Sequence, residues 1–184
     1  MNIIVYGNND DTSLDDIIFK TLARYGDVQF FSKDKLVCSS LKKSQPCKTQ
    51  FLVYELEHLP DLINCNGIFL FKKSFKNLNE NKFPKGFLPI VDEQNLSAIK
   101  LLEKTNQIVI TCGTSIKNTL NFSSFSQTEA IVALQRYLQA DNNTTIEPHE
   151  FTVKLNSTCE PNTLLIICTI LLLSGISSIN GYEI

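Results

Sequence analysis

Apolar residues fall in short runs separated by polar turns, and the period of those runs changes along the chain. Residues 2–7 (NIIVYG) form a β-branched run closed by glycine, which predicts a buried first strand. Leu14, Ile17, Ile18, Leu22 and Tyr25 recur at helical spacing and predict an amphipathic helix over 14–25, ended by Gly26. Ser13, with Asp16 three residues later, reads as the cap of that helix, and Asp15 and Asp16 suit the positive end of its dipole. Further strands are predicted at 28–31, 51–56, 68–71, 88–91 and 107–112, with a helix at 94–104. Residues 32–50, rich in lysine and serine, read as a loop or short helix, and 72–86 as a polar surface stretch. Strands alternating with helices, with glycine at strand ends, predict a three-layer α/β fold with a mainly parallel sheet. The expected organisation is one domain over 1–184.

After Gly113 the pattern changes. Segments 129–139 and 145–155 flank the polar cluster Asp141-Asn142-Asn143-Thr144. Phe151, Val153 and Leu155 alternate with polar residues, a strand period, whereas Ile131, Leu134 and Leu138 also satisfy a helix. The turn chemistry between the halves favours a late β-hairpin. Residues 164–173 are almost wholly apolar. As a helix they span about 15 Å, half of the ~30 Å hydrocarbon core of a bilayer, so they predict a buried helix and not a membrane anchor.

The charge balance narrows the function classes. Lys plus Arg number 17 and Asp plus Glu 19, for a net charge of -2. Arg24 and Arg136 are the two arginines, too few for a phosphate-reading surface, so no nucleic-acid partner is expected. Among the six cysteines no C-x-x-C pair occurs, and His58 and His149 lie far from any such element, which argues against a zinc site. The opening residues turn acidic before an export signal could form. The expectation is therefore a cytoplasmic protein whose cysteines are reduced thiols, mostly filling the core.

Three constellations could carry chemistry. Gly7, Asn8, Asn9, Asp10, Asp11, Thr12 and Ser13 join the first strand to the first helix, where backbone N–H groups and the helix dipole attract phosphate. A working phosphate loop carries lysine before its Ser/Thr; here Asp11 holds that place, preceded by Asp10. A capped strand-to-helix turn is the competing reading, with Gly7, Asn8, Asn9, Thr12 and Ser13 the candidate phosphate contacts. Glu55, at the end of a core strand, is a candidate Mg²⁺ ligand, against a solvated strand end, and His58 beside it has no evident partner. Lys72, Lys73, Lys76, Lys82 and Lys85 read as a solvated surface run able to steer an acidic partner. Ser123, Ser124 and Ser126 lack a G-x-S-x-G elbow and an activating histidine, so a serine-hydrolase reading of them fails.

The order of these segments resembles the central, ATP-binding domain of the Mur ligases, the amide-forming enzymes of cell-wall precursor synthesis, over about residues 2–177. IIVYGNNDDTS stands where that family has a strand and a G-T-N-G-K-T-T loop, and FLVYELEHL resembles its strand ending in E-x-S-S, with Glu55 at the metal-binding glutamate. GIFLFKKSFKNL replaces T-N followed by D-H, and LPIVDEQN is similar to V-x-N-x-D-D. IVITCGTS and EFTVKL resemble the I-T-F-G-x-S and x-F-x-V strands, and TLLIICTILLLSGI the N-x-L-A-A…L-G-I helix.

The departures bear on function. Asp11 replaces the loop lysine, Lys72-Lys73 replace Thr-Asn, and the metal-site Asp-His falls near Asn77-Leu78. The family's His-Asn falls near Cys159-Glu160, and neither flanking ligase domain is in this sequence. The resemblance then implies a non-catalytic cytosolic binding or scaffold protein, with no cofactor, on a degenerate nucleotide-binding domain. Its partner is an unidentified protein or small molecule. The alternative is a minimal nucleotide-dependent enzyme that uses ATP and Mg²⁺ through Glu55 and the 7–13 turn.

Overall fold

The computed structural model describes residues 1–33, 35–40, 49–59, 63, 65–76 and 83–184, Ser13 by its backbone. The lysines at 42, 43 and 48, within the expected loop or short helix, and positions 77, 79, 81 and 82 of the expected surface stretch lie outside the described residues. The fold is α/β, and the chain divides into two compact units, Met1–Val91 with Asn95–Val109, and Asp92–Gln94 with Ile110–Ile184.

The first unit contains β1 (Asn2–Tyr6), α1 (Ser13–Tyr25), β2 (Gly26–Ser32), β3 (Lys35–Ser39), β4 (Thr49–Leu56), β5 (Gly67–Phe71), β6 (Phe87–Asp92, whose last residue belongs to the second unit) and α2 (Leu96–Leu102). Its strands lie in the order β3-β2-β4-β1-β5-β6. All neighbours are parallel except β2 and β3, which form an antiparallel edge hairpin. Alternation along the strands divides two cores. Ile3, Val53 and Phe30 share one face through the pairings Ile3↔Val53 and Phe30↔Val53, and Phe19 of α1 meets Phe30 edge-on there. Ile4 and Phe69 pair on the other face and pack with Ala98, Leu101 and Leu102 of α2. Helices on opposite faces of a parallel sheet are the three layers that the alternating pattern predicts.

Two details of this unit differ from the sequence reading. Ser13 is the first helical residue and Thr12 the cap, because the Thr12 carbonyl already accepts the Asp16 N–H at 3.3 Å; the Thr12 side chain makes no capping bond. Within 32–50, expected as loop or helix, Lys35–Ser39 is strand, an edge whose Leu36 and Cys38 are exposed and which shows no buried-exposed period.

The second unit contains β7 (Ile110–Cys112), β8 (Leu120–Phe125), β9 (Glu129–Leu134), β10 (Leu138–Gln139), β11 (Thr145–Ile146), β12 (His149–Lys154), α3 (Pro161–Leu173) and β13 (Tyr182–Glu183). Its main strands run β7-β8-β9-β12-β13. The hairpin is present: β9 pairs antiparallel with β12 from Glu129↔Lys154 to Leu134↔His149, and β10 pairs with β11 around the turn. Asn143 takes the positive φ of 61° that this turn needs, a conformation asparagine tolerates. Helix α3 begins with Pro161 in its first turn and buries eleven of its thirteen residues. Gly175 (φ 72°) ends it in a Schellman motif, with Ile176 N–H on the Leu171 carbonyl (3.1 Å) and Gly175 N–H on Leu172 (2.9 Å). Among the described residues no helix is long and apolar enough to cross a membrane. Cys112 and Cys168 fill the core as expected, but Cys38 and Cys65 are exposed.

Candidate functional site

β1 delivers the chain to the 7–13 turn, and β4 and β5, paired on either side of it, deliver Glu55 and Lys72. The Lys72 backbone is fixed by its N–H on the Tyr6 carbonyl (2.8 Å) and by its own carbonyl, which accepts from Phe75 N–H (3.0 Å) and Asn95 Nδ2 (3.1 Å). From there its side chain runs beneath Gly7, and a Cβ on Gly7 would lie 2.6 Å from the Lys72 Cβ. Glycine at position 7, with φ 155°, is what lets the aliphatic stem pass.

The end of that side chain decides the chemistry of the turn. Lys72 Nζ donates to the Asp11 carbonyl at 2.7 Å, to Asp15 Oδ2 at 2.6 Å and to Glu55 Oε1, with the Asn8 carbonyl at 3.4 Å. Its side chain is 0% exposed, and those of Asp15 and Glu55 are 7% exposed. The lysine expected in a solvated surface run is thus the buried centre of the site; Lys73, Lys76 and Lys85 are the exposed members. Two adjacent lysines at the head of a polar stretch conceal this, but a burst of four acids at 10, 11, 15 and 16, with Lys20 the first cation after them, calls for a further counter-charge.

Around this ammonium the turn points carbonyls inward, the reverse of an anion cradle, in which N–H groups converge. Several of its N–H groups are already engaged. Gly7 donates to the Leu56 carbonyl (3.1 Å), Asn8 to Ser74 Oγ (3.1 Å), Asp10 to Asn8 Oδ1 (2.9 Å) and Asp11 to the Asn8 carbonyl (3.1 Å). Asp11 Oδ2 in turn accepts from the Ser74 N–H at 3.1 Å. Of the candidate phosphate contacts, Gly7 is buried beneath the turn and Asn8 and Thr12 are exposed. Asn9 reaches Glu57 Oε2 at 3.4 Å, and Ser13 contributes backbone to α1. Candidate ligand Glu55 sits on the lysine, and His58 is exposed.

Electrostatically, one ammonium faces two buried carboxylates. Burial lifts Asp15 from its ordinary 3.8 to about 6; Lys72 pulls the other way, and the neighbouring Glu55 adds to the rise. Asp15 Oδ1 is buried with no hydrogen-bond partner among the described residues, which fits a carboxyl that holds its proton more tightly than usual. A cleft of about 610 Å³ opens beside the turn. Its charged lining is Asp10, Asp15, Asp16, Glu55 and Glu57 against Lys33 and Lys35, an acidic balance unsuited to a polyphosphate.

No family model matches the chain, and no curated protein matches it. Among solved structures it is similar to the murein peptide ligase Mpl of Psychrobacter arcticus, with a TM-score of 0.52 at 12% identity. The match covers 98% of this chain and 46% of the ligase chain, so the chain spans less than half the length of that protein. The likeness is one of fold, and the fold is Mur-ligase-like.

Proposed function

We propose that this chain is a cytosolic binding or scaffold protein on a Mur-ligase-like fold, without ligase or ATPase catalysis. The observation that carries the reading is the Lys72 ammonium, enclosed by Asp15, Glu55 and the Asp11 carbonyl at the end of β1. A phosphate entering the 7–13 turn meets carbonyl oxygens and the carboxylates of Asp10 and Asp11. Each like-charge contact at ~4 Å costs on the order of 1 kcal/mol in water and several times that where solvent is partly excluded. Mg²⁺ at Glu55 has first to displace an ammonium already paired there. The acidic cleft favours a neutral or cationic small molecule, or a basic protein segment, over nucleic acid. Cytosolic placement rests on cysteines read as thiols, five of which are free among the described residues.

One observation favours the enzymatic alternative: a lysine, though from just past β5 and not from the turn, does lie at the strand-to-helix turn. If it swung outward it would leave Glu55 free for Mg²⁺. Calorimetric titration with ATP, with and without Mg²⁺, separates the two. The scaffold reading expects no binding at sub-millimolar nucleotide and no phosphate release. Micromolar binding that requires Mg²⁺ and vanishes in Glu55→Ala establishes the enzyme.

A further inference from the structure

The second unit places a serine hydroxyl against an imidazole whose protonation is fixed by its other neighbour. His149 is the first residue of β12; its Nδ1 lies 2.7 Å from the Glu147 carbonyl oxygen and its Nε2 lies 2.7 Å from Ser178 Oγ. A carbonyl oxygen carries no hydrogen, so in the neutral ring Nδ1 is the protonated nitrogen and donates to it. Nε2 then holds the lone pair, and the Ser178 hydroxyl donates to Nε2. A nucleophile bonded to a base, and a base oriented by a third group, is the arrangement of an activated serine.

Three further features suit that role. The chain around Ser178 is pinned: Tyr182 Oη donates to the Ile176 carbonyl (2.8 Å), Gly181 N–H donates to the Ser178 carbonyl (2.9 Å), and β13 pairs in parallel with β12. Ser178 is 9% exposed, yet with His149 it lines a cleft of about 850 Å³, large enough for a small organic molecule. The cleft wall combines apolar Ile146, Pro148 and Ile176 with the carboxylates Glu147 and Glu150, which disfavour an anionic ligand. Ser123 instead donates to Glu150 Oε1. The pair is 29 residues apart, which is why no local motif announces it.

We propose that Ser178 and His149 form a nucleophile–base pair that takes an acyl group from a small uncharged carboxylic ester. This goes beyond the scaffold reading and is independent of the nucleotide turn. Ser178 Oγ bonds to the acyl carbon while its proton passes to His149 Nε2. The ester C–O bond then breaks, and the departing alkoxide takes that proton and leaves as the alcohol. Water attacks the acyl-serine by the same route, releasing the acid and restoring the serine hydroxyl. Because a main-chain carbonyl, and not a carboxylate, faces Nδ1, the imidazolium gains little stabilisation and turnover is slow. Covalent labelling is therefore the sensitive readout.

The test treats the full chain with an alkyl fluorophosphonate and maps the adduct by peptide mass spectrometry. The expected result is a phosphonyl group on Ser178, absent in Ser178→Ala and formed at least tenfold more slowly in His149→Asn, which keeps a donor for the Glu147 carbonyl but removes the base. Ser124→Ala labels as the unaltered protein does. If Ser178→Ala does not fold, Ser178→Cys serves: its introduced thiol is expected to react with iodoacetamide faster than exposed Cys38 and Cys65 in the same sample. Absence of any adduct on Ser178, labelling indifferent to His149→Asn, or an introduced thiol in Ser178→Cys no faster than that of Cys38 overturns the proposal. The pair is then a tether between β12 and the chain after α3.

Discussion

Lys72 Nζ donates to Glu55 Oε1 across the end of β1, so the carboxylate best placed to hold a metal cation already holds an organic one. Asp15, from the first turn of α1, completes the enclosure at 2.6 Å. The turn that the fold presents at this point is closed by residues of the same chain.

Removing the ammonium leaves two buried carboxylates without their counter-ion. Lys72→Met is expected to cost about 3–5 kcal/mol, the range for breaking a buried ion pair from one side. Adding Asp15→Asn and Glu55→Gln to that variant restores a large part of the loss, since a neutral cluster needs no counter-charge. Urea unfolding of the single and triple variants measures both. A loss below about 1 kcal/mol in Lys72→Met contradicts the burial described.

Gly7 tests the same packing from the backbone side. A methyl group there would sit 2.6 Å from the Lys72 Cβ and 3.1 Å from Ser74 Oγ, at a φ of 155° that side chains rarely adopt. Gly7→Ala is expected to lower stability by about 2 kcal/mol or more, through overpacking and strain. Thermal denaturation compared with an exposed substitution such as Thr12→Ala checks it.

Two carboxyl groups give opposite pH signatures. Burial raises Asp15 to about 6, so between about pH 4 and 6 the folded state binds its proton more tightly than the unfolded state does. Stability from this group falls as pH rises through that window and is level above it, and Asp15→Asn removes the slope. For Glu93, burial alone would raise the carboxyl, but hydrogen bonds from Asn118, Thr114 and Ser115 outweigh it and hold the group below its ordinary 4.5. Its contribution is present above that value and is lost as pH falls through the lowered one; Glu93→Gln removes this acid-side loss. Urea midpoints from acid to neutral pH for the three proteins resolve the trends.

The hairpin offers a topological test. Val153 pairs with Ala130 on one side and with Tyr182 on the other, so its N–H has a ladder neighbour whichever way it points. Val153→Pro is expected to cost about 3 kcal/mol or more by deleting that donor and forcing the ring into a paired strand. Deleting one residue of the exposed Asp141–Thr144 turn costs far less. Hydrogen exchange of the β9 and β12 amides reads both effects.

The parts of this molecule visible in its sequence are those where one residue type repeats under one constraint. The β-branched run at Ile3–Val5 and the apolar run at Phe51–Val53 could hardly be anything but buried strands, and the polar cluster before Thr145 marked the hairpin turn. Nine of the eleven buried positions in α3 follow from its apolar run, interrupted by Thr169, which with Asn162 is buried despite being polar. Strand β3 was hidden because an edge strand need bury only one side of a few residues, and β13 because two residues carry no period. The site was half visible. Glu55 and the acidic turn stood out, but the cation between them comes from a third strand, and only the parallel pairing of β1 with β5 brings Lys72 there. The Ser178–His149 contact is likewise a product of topology, joining the start of β12 to the chain beyond α3.

The most direct test of the closed turn is a crystal structure of the protein grown or soaked with saturating Mg²⁺ and a non-hydrolysable ATP analogue. The account predicts that Lys72 Nζ stays on Asp15, Glu55 and the Asp11 carbonyl, with no phosphate density over residues 7–13. Triphosphate density on that turn, with Mg²⁺ on Glu55 and Lys72 turned outward, would contradict it.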